Sequence, residues 1–362
     1  MQFYPPSIGL DISPSSVKAV SLKKGDGELF DLVAFGREYL PENTIADGEI
    51  KNFGAASKVI ESILSNEEII FPKTKYIVAS LPEEEAFLRI LELPSNLNPQ
   101  EFAETLKFEV EANIPMPLEE VYYDYEIISN QNAFSHCDVL VNAVSKKIVD
   151  SYVNFFGKYD YKPLAFEIES MAAKRALFSC GKEPAKETVL VLDIGAVKTG
   201  FMIVSEGVLR FTSSNSIAGD KFSQALSEHF PLNLKEAEFM KRVVGLDSNQ
   251  EKGKELLEVL RPNLIALKDQ IKNYIEFFES HPSKDRLSEE AQKVSKIVIT
   301  GGGSGLWGLK DWLSREFGME VILGNSLINI RNSSKNSKIR MSREDSLAYT
   351  TAIGLALRNF NT

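Results

Sequence analysis

Two aspartates that stand 182 residues apart, Asp11 and Asp193, each follow a short apolar run. The surrounding stretches read SIGLDISPSSVKAVSL and TVLVLDIGAVKTGFMIV, and in both a short turn-like run then leads into further apolar residues. Pro14 and Gly195 favour turns, so each stretch predicts a β-hairpin with a carboxylate at the end of its first strand. One such hairpin is ordinary, but two copies in the same order indicate an internal duplication.

The two predicted turns have the chemistry of an anion site. A tight turn directs successive backbone N–H groups into one concavity, and Gly195 would let a ligand approach the backbone closely. Asp11 and Asp193 would repel a phosphate directly, but they fit a Mg²⁺ ion that keeps its own waters between carboxylate and phosphate. Hydroxyl donors in the same turns come from Ser13, Ser15, Ser16 and Thr199. The sequence therefore predicts that two facing hairpins grip a polyphosphate.

A glycine-rich turn follows a third apolar stretch, in SKIVITGGGSGLWGLKDWLSREFG. Residues 297–300 predict a strand, the glycines 301–303 predict a turn, and an amphipathic helix is expected through Leu306, Leu309, Trp312 and Leu313. Such an arrangement lets a ligand approach the backbone and face a helix N-terminus. Three glycines alone are equally typical of a flexible corner, and the stretch matches neither the GxGxxG nor the P-loop pattern.

The bulk composition fits a soluble protein of more than one domain. The chain has 362 residues, of which 43% are hydrophobic and 25% charged. Its net charge of −10 disfavours a role in coating nucleic acid. Cys137 and Cys180 belong to no metal-binding pattern, so we expect reduced, inert thiols. No signal peptide or membrane-spanning run is evident, so contact with a membrane is expected only through partners.

Two stretches between these motifs have the patterns of inserted subdomains. In the first, Asn98, Pro99 and Glu101 predict a helix start, and NIPMP ends that helix. The stretches VYYDYEII and HCDVLVNAVS predict strands, so a small α/β insert with an open groove is expected. The second stretch, from 221 to about 292, is charged and predicted to be helical. Its expected core positions are Ile265, Leu267, Ile271, Ile275 and Phe278.

Together these stretches resemble the actin, Hsp70 and sugar-kinase superfamily over essentially the whole chain. The resemblance lies in the two hairpins, in VITGGGS, and in two stretches similar to the connecting helices of that fold, at 166–177 and 348–358. Within the superfamily, LKFEVEANIPMPLEEVYYDYEII and the near-terminal AIGLALR resemble the family of the type IV pilus assembly protein PilM. The implied fold is α/β, with duplicated actin/Hsp70-like, ribonuclease-H-like domains that flank a nucleotide cleft.

The resemblance also implies domain bounds. The first actin-like lobe would comprise residues 1–187 and 340–362, with an inserted subdomain at about 83–150. The second lobe would comprise residues 188–339, with a mainly helical insert at about 221–292.

Site residues follow from the resemblance one at a time. Glu169 matches an acidic residue that orients the attacking water or metal in relatives, and with Asp193 it is the expected catalytic pair; a solvent-facing helical charge is the alternative for Glu169. Glu238 and Lys241 match residues that contact ribose and adenine, although their spacing is also typical of a surface salt bridge. The implied phosphate-binding residues are Ser13, Ser15, Ser16, Lys18, Gly195, Val197, Lys198 and Thr199, with Lys198 equally consistent with an exposed turn lysine. The implied adenosine-binding residues are Gly219, Asp220, Glu238, Lys241, Gly301, Gly302 and Gly303, and the metal lies, through water, at Asp11 and Asp193.

The implied ligands are ATP or ADP with Mg²⁺. Ser13 stands where the family usually has glycine, and Pro14 follows it, which would narrow the phosphate pocket. This departure favours nucleotide binding over rapid turnover, with at most a weak ATPase activity.

The resemblance to the PilM family implies a cytoplasmic protein recruited to the inner face of the cytoplasmic membrane. Its expected partner is the short cytoplasmic tail of PilN, bound as an extended peptide in the groove of the first insert, with Tyr122, Tyr123 and Tyr125 as candidate contacts. Other inner-membrane pilus components, the assembly ATPase and a second copy of the chain are further expected partners.

Two other functions fit the same fold. An FtsA-like filament former carries an amphipathic C-terminal membrane helix, which we do not expect here because the sequence closes with GLALRNFNT. A small-molecule kinase requires a sugar-recognition stretch, and none is found.

Overall fold

The structure is a computed structural model that describes residues 5–25, 27–129, 136–180, 183, 185–247, 249–280, 287–331 and 339–360. Its strands are β1 (Ile8–Ile12), β2 (Ser16–Lys24), β3 (Phe30–Tyr39), β4 (Ile45–Ala46), β5 (Glu49–Ile50), β6 (Tyr76–Leu81), β7 (Ala86–Pro94), β8 (Val121–Ser129), β9 (His136–Ser145), β10 (Lys162–Ile168), β11 (Thr188–Ile194), β12 (Thr199–Ser205), β13 (Val208–Asn215), β14 (Val294–Thr300), β15 (Glu320–Leu323) and β16 (Ile330–Arg331). Its helices are α1 (Phe53–Leu64), α2 (Pro99–Asn113), α3 (Lys146–Lys158), α4 (Glu169–Leu177), α5 (Gly219–His229), α6 (Leu234–Val243), α7 (Glu251–Ser280), α8 (Leu309–Phe317), α9 (Arg343–Ala348) and α10 (Thr350–Arg358). Short 3-10 turns lie at Glu83–Glu85, Leu118–Glu120, Glu289–Ala291 and Gly302–Gly305.

Two large sheets repeat one arrangement. The first has the strand order β10-β6-β1-β2-β3-β16, and the second has the order β13-β12-β11-β14-β15. In each sheet the predicted hairpin is antiparallel and continues into a third antiparallel strand. The first strand of each hairpin also has a parallel neighbour, β6 in one sheet and β14 in the other. Both predicted hairpins and the internal duplication are therefore confirmed.

Strand β11 is buried on both faces, which explains its continuous apolar run. Val189 and Val191 pack into the core of the first sheet, whereas Leu190 and Leu192 pack against the helices that cover the second sheet. The run reaches the cleft at Asp193, close to the end of the strand. Burial thus fixes the strand, and the strand positions the carboxylate.

Helices α4 and α10 connect the two sheets. Gly354 of α10 lies so close to the backbone of Ala172 in α4 that any larger residue at 354 would overlap the Ala172 carbonyl. Helix α10 packs on β1 and β2, and α4 contacts β12 and β13. The first connecting helix was expected from Phe166, but it begins at Glu169 because the preceding residues pair with β6 as strand β10.

A buried carboxylate ties these connecting helices to the first sheet. Glu167 of β10 accepts hydrogen bonds from both terminal nitrogens of the Arg175 guanidinium, each 2.6 Å long. It also accepts a hydrogen bond of 2.7 Å from Nη1 of Arg358, at the end of α10. Such bidentate, charge-assisted bonds have strict geometry, so they hold α4 and α10 in a fixed orientation.

The first insert is a three-stranded sheet of order β7-β9-β8 with α2 packed on one face. The predicted helix start is confirmed, because Asn98 caps α2 and Glu101 completes a capping box. Helix α3, which the predicted insert overlaps, packs instead into the core of the first sheet. Strand β16 pairs with β3, so the chain returns to the first sheet before the predicted boundary at residue 340.

Helices α5 to α8 pack with the second sheet around its own core. Among the expected core positions of α7, Ile265 is wrong, because its side chain is 46% exposed while Leu264 and Leu267 beside it are buried. Helix α8 does not follow the glycine turn directly, as was expected, because a 3-10 turn and Gly308, with a φ of 82°, precede it. Among the described helices, none is long and apolar enough to cross a bilayer.

Candidate functional site

A cavity of about 750 Å³ lies between the two large sheets, and both halves of the chain line it. The first half contributes the β1–β2 turn, the 3-10 turn at 83–85 and the start of α4. The second half contributes the β11–β12 turn, residues of α5 and α6 and the glycine turn at 301–303. Every residue predicted for phosphate, adenosine, metal or catalysis lines this cavity, with the exception of Thr199.

Thr199 faces away from the cavity and is a correction to the prediction. Its side chain is buried, and its hydroxyl donates a hydrogen bond of 2.6 Å to the carbonyl of Ile217. In the β11–β12 hairpin Asp193 and Gly200 form the cross-strand pair that lines the cavity. Because side chains alternate along a strand, the neighbouring Thr199 points to the opposite side and is not available to a phosphate.

The two hairpins present their aspartates in the same register. Asp11 lies opposite Lys18 in the first hairpin, and Asp193 lies opposite Gly200 in the second. The Lys18 ammonium lies 2.7 Å from Oδ2 of Asp11, and both side chains are largely buried. Only the first aspartate therefore has a cation as its cross-strand partner.

Several carboxyl groups share the floor of the cavity, and the pKa values of Glu83, Glu169 and Asp193 are raised. Burial, together with the nearby charge of Asp11, raises the pKa of Asp193 to about 6. Burial also raises the pKa of Glu169 well above its usual value, with further contributions from Asp11, Glu83 and Asp193. Glu83, whose pKa burial raises, accepts a hydrogen bond of 3.0 Å from the N–H of Ser170 in the first turn of α4. Glu169 is thus a half-buried member of an acidic cluster in the cavity and not a solvent-facing helical charge.

The two turns are closed by their own hydrogen bonds. In the first, the N–H and the hydroxyl of Ser13 each donate to the carbonyl of Ser16 at 3.0 Å. In the second, the N–H of Gly195 donates to the carbonyl of Lys198 at 2.8 Å. The ammonium of Lys198 contacts the carboxylate of Glu84 across the cavity, so this lysine is not simply an exposed turn residue.

Glu238 and Lys241 form the opposite wall of the cavity, next to the start of α5. Lys241 is 3% exposed, and its ammonium lies 2.6 Å from Oε2 of Glu238 and donates a hydrogen bond of 2.8 Å to the carbonyl of Gly219. Burial lowers the pKa of Lys241. The pair is therefore built into the wall and is not a solvated surface salt bridge.

The glycine turn is fitted to the end of β11. Gly301 has a φ of 86°, a conformation that favours glycine. A Cβ atom at this position would overlap the Asp193 carboxylate and the carbonyl of Ile194. The turn therefore holds Asp193 in place and is not a flexible corner.

Among the lining residues that were not predicted are Arg37, Tyr39, Glu83 and Tyr152. Arg37 lies opposite Lys18 on the third strand, and its Nη2 donates a hydrogen bond of 3.0 Å to the hydroxyl of Tyr39. If the strand pairing that places Lys18 opposite Asp11 had been continued to the next strand in the sequence, it would have identified Arg37. The Tyr152 hydroxyl is buried and has no hydrogen-bond partner among the described residues. No local sequence signal connects Glu83 or Tyr152 with the turns.

The three tyrosines predicted to contact a partner do not line this cavity and lie on the edge strand β8. Tyr122, Tyr123 and Tyr125 are 48%, 38% and 46% exposed. Residues 122–127 of β8 are exposed, although the ring of Tyr125 also contacts that of Phe102 on α2. All three side chains are therefore accessible.

The cavity fits a nucleotide whose Mg²⁺ is held through water. Within the described residues, no three His, Cys, Asp or Glu side chains converge in a way that could hold a metal ion directly. Mg²⁺ prefers oxygen ligands and usually keeps several of its waters, so two carboxylates and a phosphate are a suitable environment. The unpartnered hydroxyl of Tyr152 at the same site is a further hydrogen-bonding group for such water.

Comparisons with known proteins give consistent results. The structure is similar over 99% of both chains to a solved "PilM-PilN type IV pilus biogenesis complex", with 24% identity and a TM-score of 0.81. It is also similar to ethanolamine utilization protein EutJ from Carboxydothermus hydrogenoformans, with 15% identity, a TM-score of 0.57 and coverage of 98% of this chain and 89% of that one. MreB5 of Spiroplasma citri bound to AMPPNP has 15% identity, a TM-score of 0.54 and coverage of 98% and 95%. The sequence model of the family "Type IV pilus assembly protein PilM" matches residues 9–360.

The duplicated sheets around one cleft and these structural likenesses define the class: the chain has the actin-like ATPase fold. Within this class, the chain belongs to the family of the type IV pilus assembly protein PilM, whose sequence model spans almost its whole length. The fold and the family expected from the sequence are both confirmed.

Proposed function

We propose that this protein binds ATP or ADP with Mg²⁺ between its two large sheets and serves as a scaffold in type IV pilus assembly. One observation carries the proposal: Asp11 and Asp193 occupy equivalent positions of duplicated hairpins and line one cavity. The fold shared with MreB5, solved with AMPPNP, supports nucleotide binding.

The polyphosphate would lie between the two turns. Lys18 and Lys198 supply positive charge on opposite sides of it, and backbone N–H groups of both turns supply donors. Mg²⁺, when bound, offsets the negative charge that Asp11 and Asp193 would otherwise direct at the phosphates.

The adenosine would lie against the second half of the chain. Glu238 and Lys241 offer paired hydrogen-bonding groups on one helix face, and the turn at 301–303 exposes backbone at close range. Because these groups are already held by Gly219 and by each other, little ordering is needed on binding.

Nucleotide binding, and not rapid hydrolysis, is the proposed activity. Glu169 is the candidate group for orienting water, but its raised pKa favours the protonated form, which cannot accept a proton. A cation in the cleft would favour its ionised form. Slow hydrolysis would therefore depend on a bound metal.

The proposed partner is the PilN cytoplasmic tail, bound as an extended peptide on the first insert near Tyr122, Tyr123 and Tyr125. The solved PilM-PilN complex supports PilN as the partner. The insert also contacts the second half of the chain, because Asp138 lies 3.9 Å from Arg210 and Glu84 contacts Lys198. A nucleotide that draws the two halves together would act on these contacts and change the position of the insert.

The proposal retains the two predicted lobes, except that strand β16 belongs to the first, and places the protein at the inner face of the cytoplasmic membrane, recruited by PilN. Strands β1 to β3 and β11 to β13 support a division between residues 187 and 188. The other inner-membrane pilus components, the assembly ATPase and a second copy of the chain are proposed as further partners.

Three measurements test the proposal. Mg·ATP is expected to raise the melting temperature of the protein, and Asp11→Ala and Asp193→Ala are expected to weaken ATP binding measured calorimetrically with Mg²⁺. Unchanged ATP affinity in both variants would argue against the metal role. A PilN tail peptide is expected to bind with different affinity in the presence and absence of Mg·ATP. Equal affinities would remove the proposed coupling, because a ligand shifts only states that it distinguishes.

A further inference from the structure

The turn at 83–85 attaches the first insert to the rest of the protein, and it lies in the wall of the cavity. Strand β7 of the insert begins directly after it, at Ala86. Toward the first half of the chain, the carboxyl group of Glu83 accepts a hydrogen bond of 3.0 Å from the N–H of Ser170 in α4. Toward the second half, Thr212 of β13 lies beside the same carboxyl group. A displacement of this turn would therefore move the start of the insert.

One ion pair joins this turn to the opposite side of the cavity. The ammonium of Lys198, in the β11–β12 turn, contacts the carboxylate of Glu84. The two side chains are 37% and 25% exposed, and both line the cavity, so a ligand there can reach the pair. Partly exposed ion pairs contribute little net stability. A ligand that offers Lys198 a more highly charged partner can therefore open this pair.

The β11–β12 turn runs from the proposed adenosine wall to this ion pair. At its start, the carbonyl of Gly195 accepts a hydrogen bond of 3.0 Å from the N–H of Gly219, the first residue of α5. At its end, Lys198 contacts Glu84 of the first half. A nucleotide that has its adenosine at the wall and its phosphates along the turn would thus have its last phosphate nearest to Lys198.

We propose that Lys198 distinguishes ATP from ADP by exchanging its partner. Lys198 pairs with Glu84 when the terminal phosphate is absent, and with that phosphate when it is present. The exchange rests on the proposed function, because the nucleotide is taken to bind in this cavity. A terminal phosphate is more highly charged than a carboxylate, so it attracts the ammonium more strongly.

The exchange makes the insert sensitive to the nucleotide. ADP ends one phosphate earlier than ATP and leaves the Lys198–Glu84 pair intact. ATP interacts with Lys198 only when the pair is open, and a ligand stabilises the state that it binds better. ATP therefore releases the turn at 83–85, and ADP does not.

Calorimetric titration of the full chain with Mg·AMPPNP and Mg·ADP tests the discrimination. Lys198→Met is expected to lower the preference for AMPPNP over ADP about threefold to tenfold, and Glu84→Gln, which frees Lys198, is expected to raise it by up to about threefold. Glu316→Gln is the matched control, since Glu316 forms a similarly exposed ion pair with Lys268 outside the cavity. It should leave both affinities unchanged. A wild-type preference in Lys198→Met would contradict the inference.

Hydrogen exchange followed by mass spectrometry tests the release of the turn. The N–H groups of Glu85 and Ala86 donate to carbonyls within the turn, so their exchange reports its opening. Mg·AMPPNP is expected to speed this exchange at least about threefold in the wild-type chain, and Mg·ADP is expected to leave it unchanged. Equal effects of the two nucleotides, or no effect of bound AMPPNP, would overturn the inference.

The variants show whether the ion pair is the cause. Glu84→Gln and Lys198→Met each lack the pair, so without nucleotide their turn is expected to exchange as fast as that of the wild-type chain with AMPPNP. Added AMPPNP should then have no further effect. If AMPPNP still speeds exchange in Lys198→Met as much as in the wild type, the turn opens by another route and the inference is wrong.

The same titrations separate this inference from the proposed function. If neither nucleotide binds the wild-type chain, the proposed function fails, and the exchange of partners fails with it. If both nucleotides bind and Lys198→Met has the wild-type preference, only the exchange fails, and nucleotide binding in the cavity stands.

Discussion

The two hairpins of this protein have the same backbone arrangement but differ in the charged residues beside their aspartates. Asp11 and Asp193 occupy the same position, but the residues opposite them are Lys18 and Gly200. On the third strand of each sheet the row continues with Arg37 in the first half and Ser214 in the second. The two strands beside Asp11 therefore each place a cation in line with it, whereas the corresponding positions beside Asp193 carry no charge.

This difference gives the two aspartates different tasks. Lys18 already neutralises Asp11, so the first hairpin is electrostatically complete without a ligand. Within the described part of the chain, Asp193 has no ion pair, and burial raises its pKa to about 6. The second hairpin is therefore the half that gains most from a bound cation. The duplicated hairpins thus keep the same strand pairing, but only the first has a cation opposite its aspartate.

The largest expected effect comes from removing the cation of the first hairpin. Lys18→Met leaves Asp11 buried beside other carboxyl groups without its partner, which typically costs about 3–5 kcal/mol of unfolding free energy. Urea denaturation at neutral pH measures it. The double variant Asp11→Asn, Lys18→Met is the control and should recover most of the loss. A single variant within about 0.5 kcal/mol of wild type would show that the pair is not important for stability.

A smaller effect of opposite sign is expected in the second hairpin. The folded protein holds a proton on Asp193 more tightly than the unfolded chain does, so this stabilisation is complete below pH 4 and is lost as the pH rises through about 6. The loss is on the order of 1–3 kcal/mol without metal or nucleotide. Asp193→Asn does not titrate, so it should match wild type near pH 4 and be more stable at pH 7.5. If the melting temperatures of wild type and Asp193→Asn differed by the same amount at every pH between 4 and 7.5, the prediction would be contradicted.

Transferring the cation to the second hairpin sharpens the comparison. A Cβ atom at Gly200 would meet only the Cβ of Asp193, at 3.8 Å, so a side chain fits there. Gly200→Lys is expected to flatten the pH dependence of stability between pH 4 and 6 and to add about 1 kcal/mol at neutral pH. Gly200→Ala controls for the change of backbone. If the lysine and alanine variants have the same pH profile, the missing cation is not what distinguishes the two halves.

The smallest effect on stability is expected for Arg37, which lies in line with Asp11 and Lys18 on the third strand of the first sheet. Arg37 lies at the rim of the cavity and is exposed, so Arg37→Ala should change the unfolding free energy by less than about 0.5 kcal/mol. Loss of a cation near the phosphates should weaken ATP binding about threefold to tenfold, and AMP binding less. Calorimetry with both nucleotides measures the difference. Lys24→Ala, an exposed change on β2 outside the cavity, should leave both affinities unchanged.

Local features were predictable wherever local energetics decide them. The start of α2 follows from Asn98 and Glu101, which satisfy backbone groups of their own turn. The hairpins follow from Pro14 and Gly195 between apolar runs. Ile265 was misplaced because a long helix with apolar residues on more than one side does not define which side meets a neighbour.

Thr199 and the start of α8 show where local patterns fail. Thr199 has a suitable hydroxyl in a suitable turn, but the strand register turns it toward Ile217. The helix after the glycines begins later than its apolar spacing predicts, because a 3-10 turn at 302–305 contacts the end of β11, and Gly308, which lies against Leu246, precedes the helix. Both outcomes depend on which neighbour the backbone meets.

The sequence by itself determined the duplicated hairpins, the equivalent aspartates and the class of fold, because strand and turn preferences are properties of short segments. Only the tertiary structure decided that Asp193, unlike Asp11, has no ion pair among the described residues, that Glu83 and Tyr152 lie in the same cavity, and that β8 is at the edge of the insert sheet as far as the structure describes it. Burial and electrostatic interaction depend on distances between segments that are remote in the chain, and no local pattern specifies those distances.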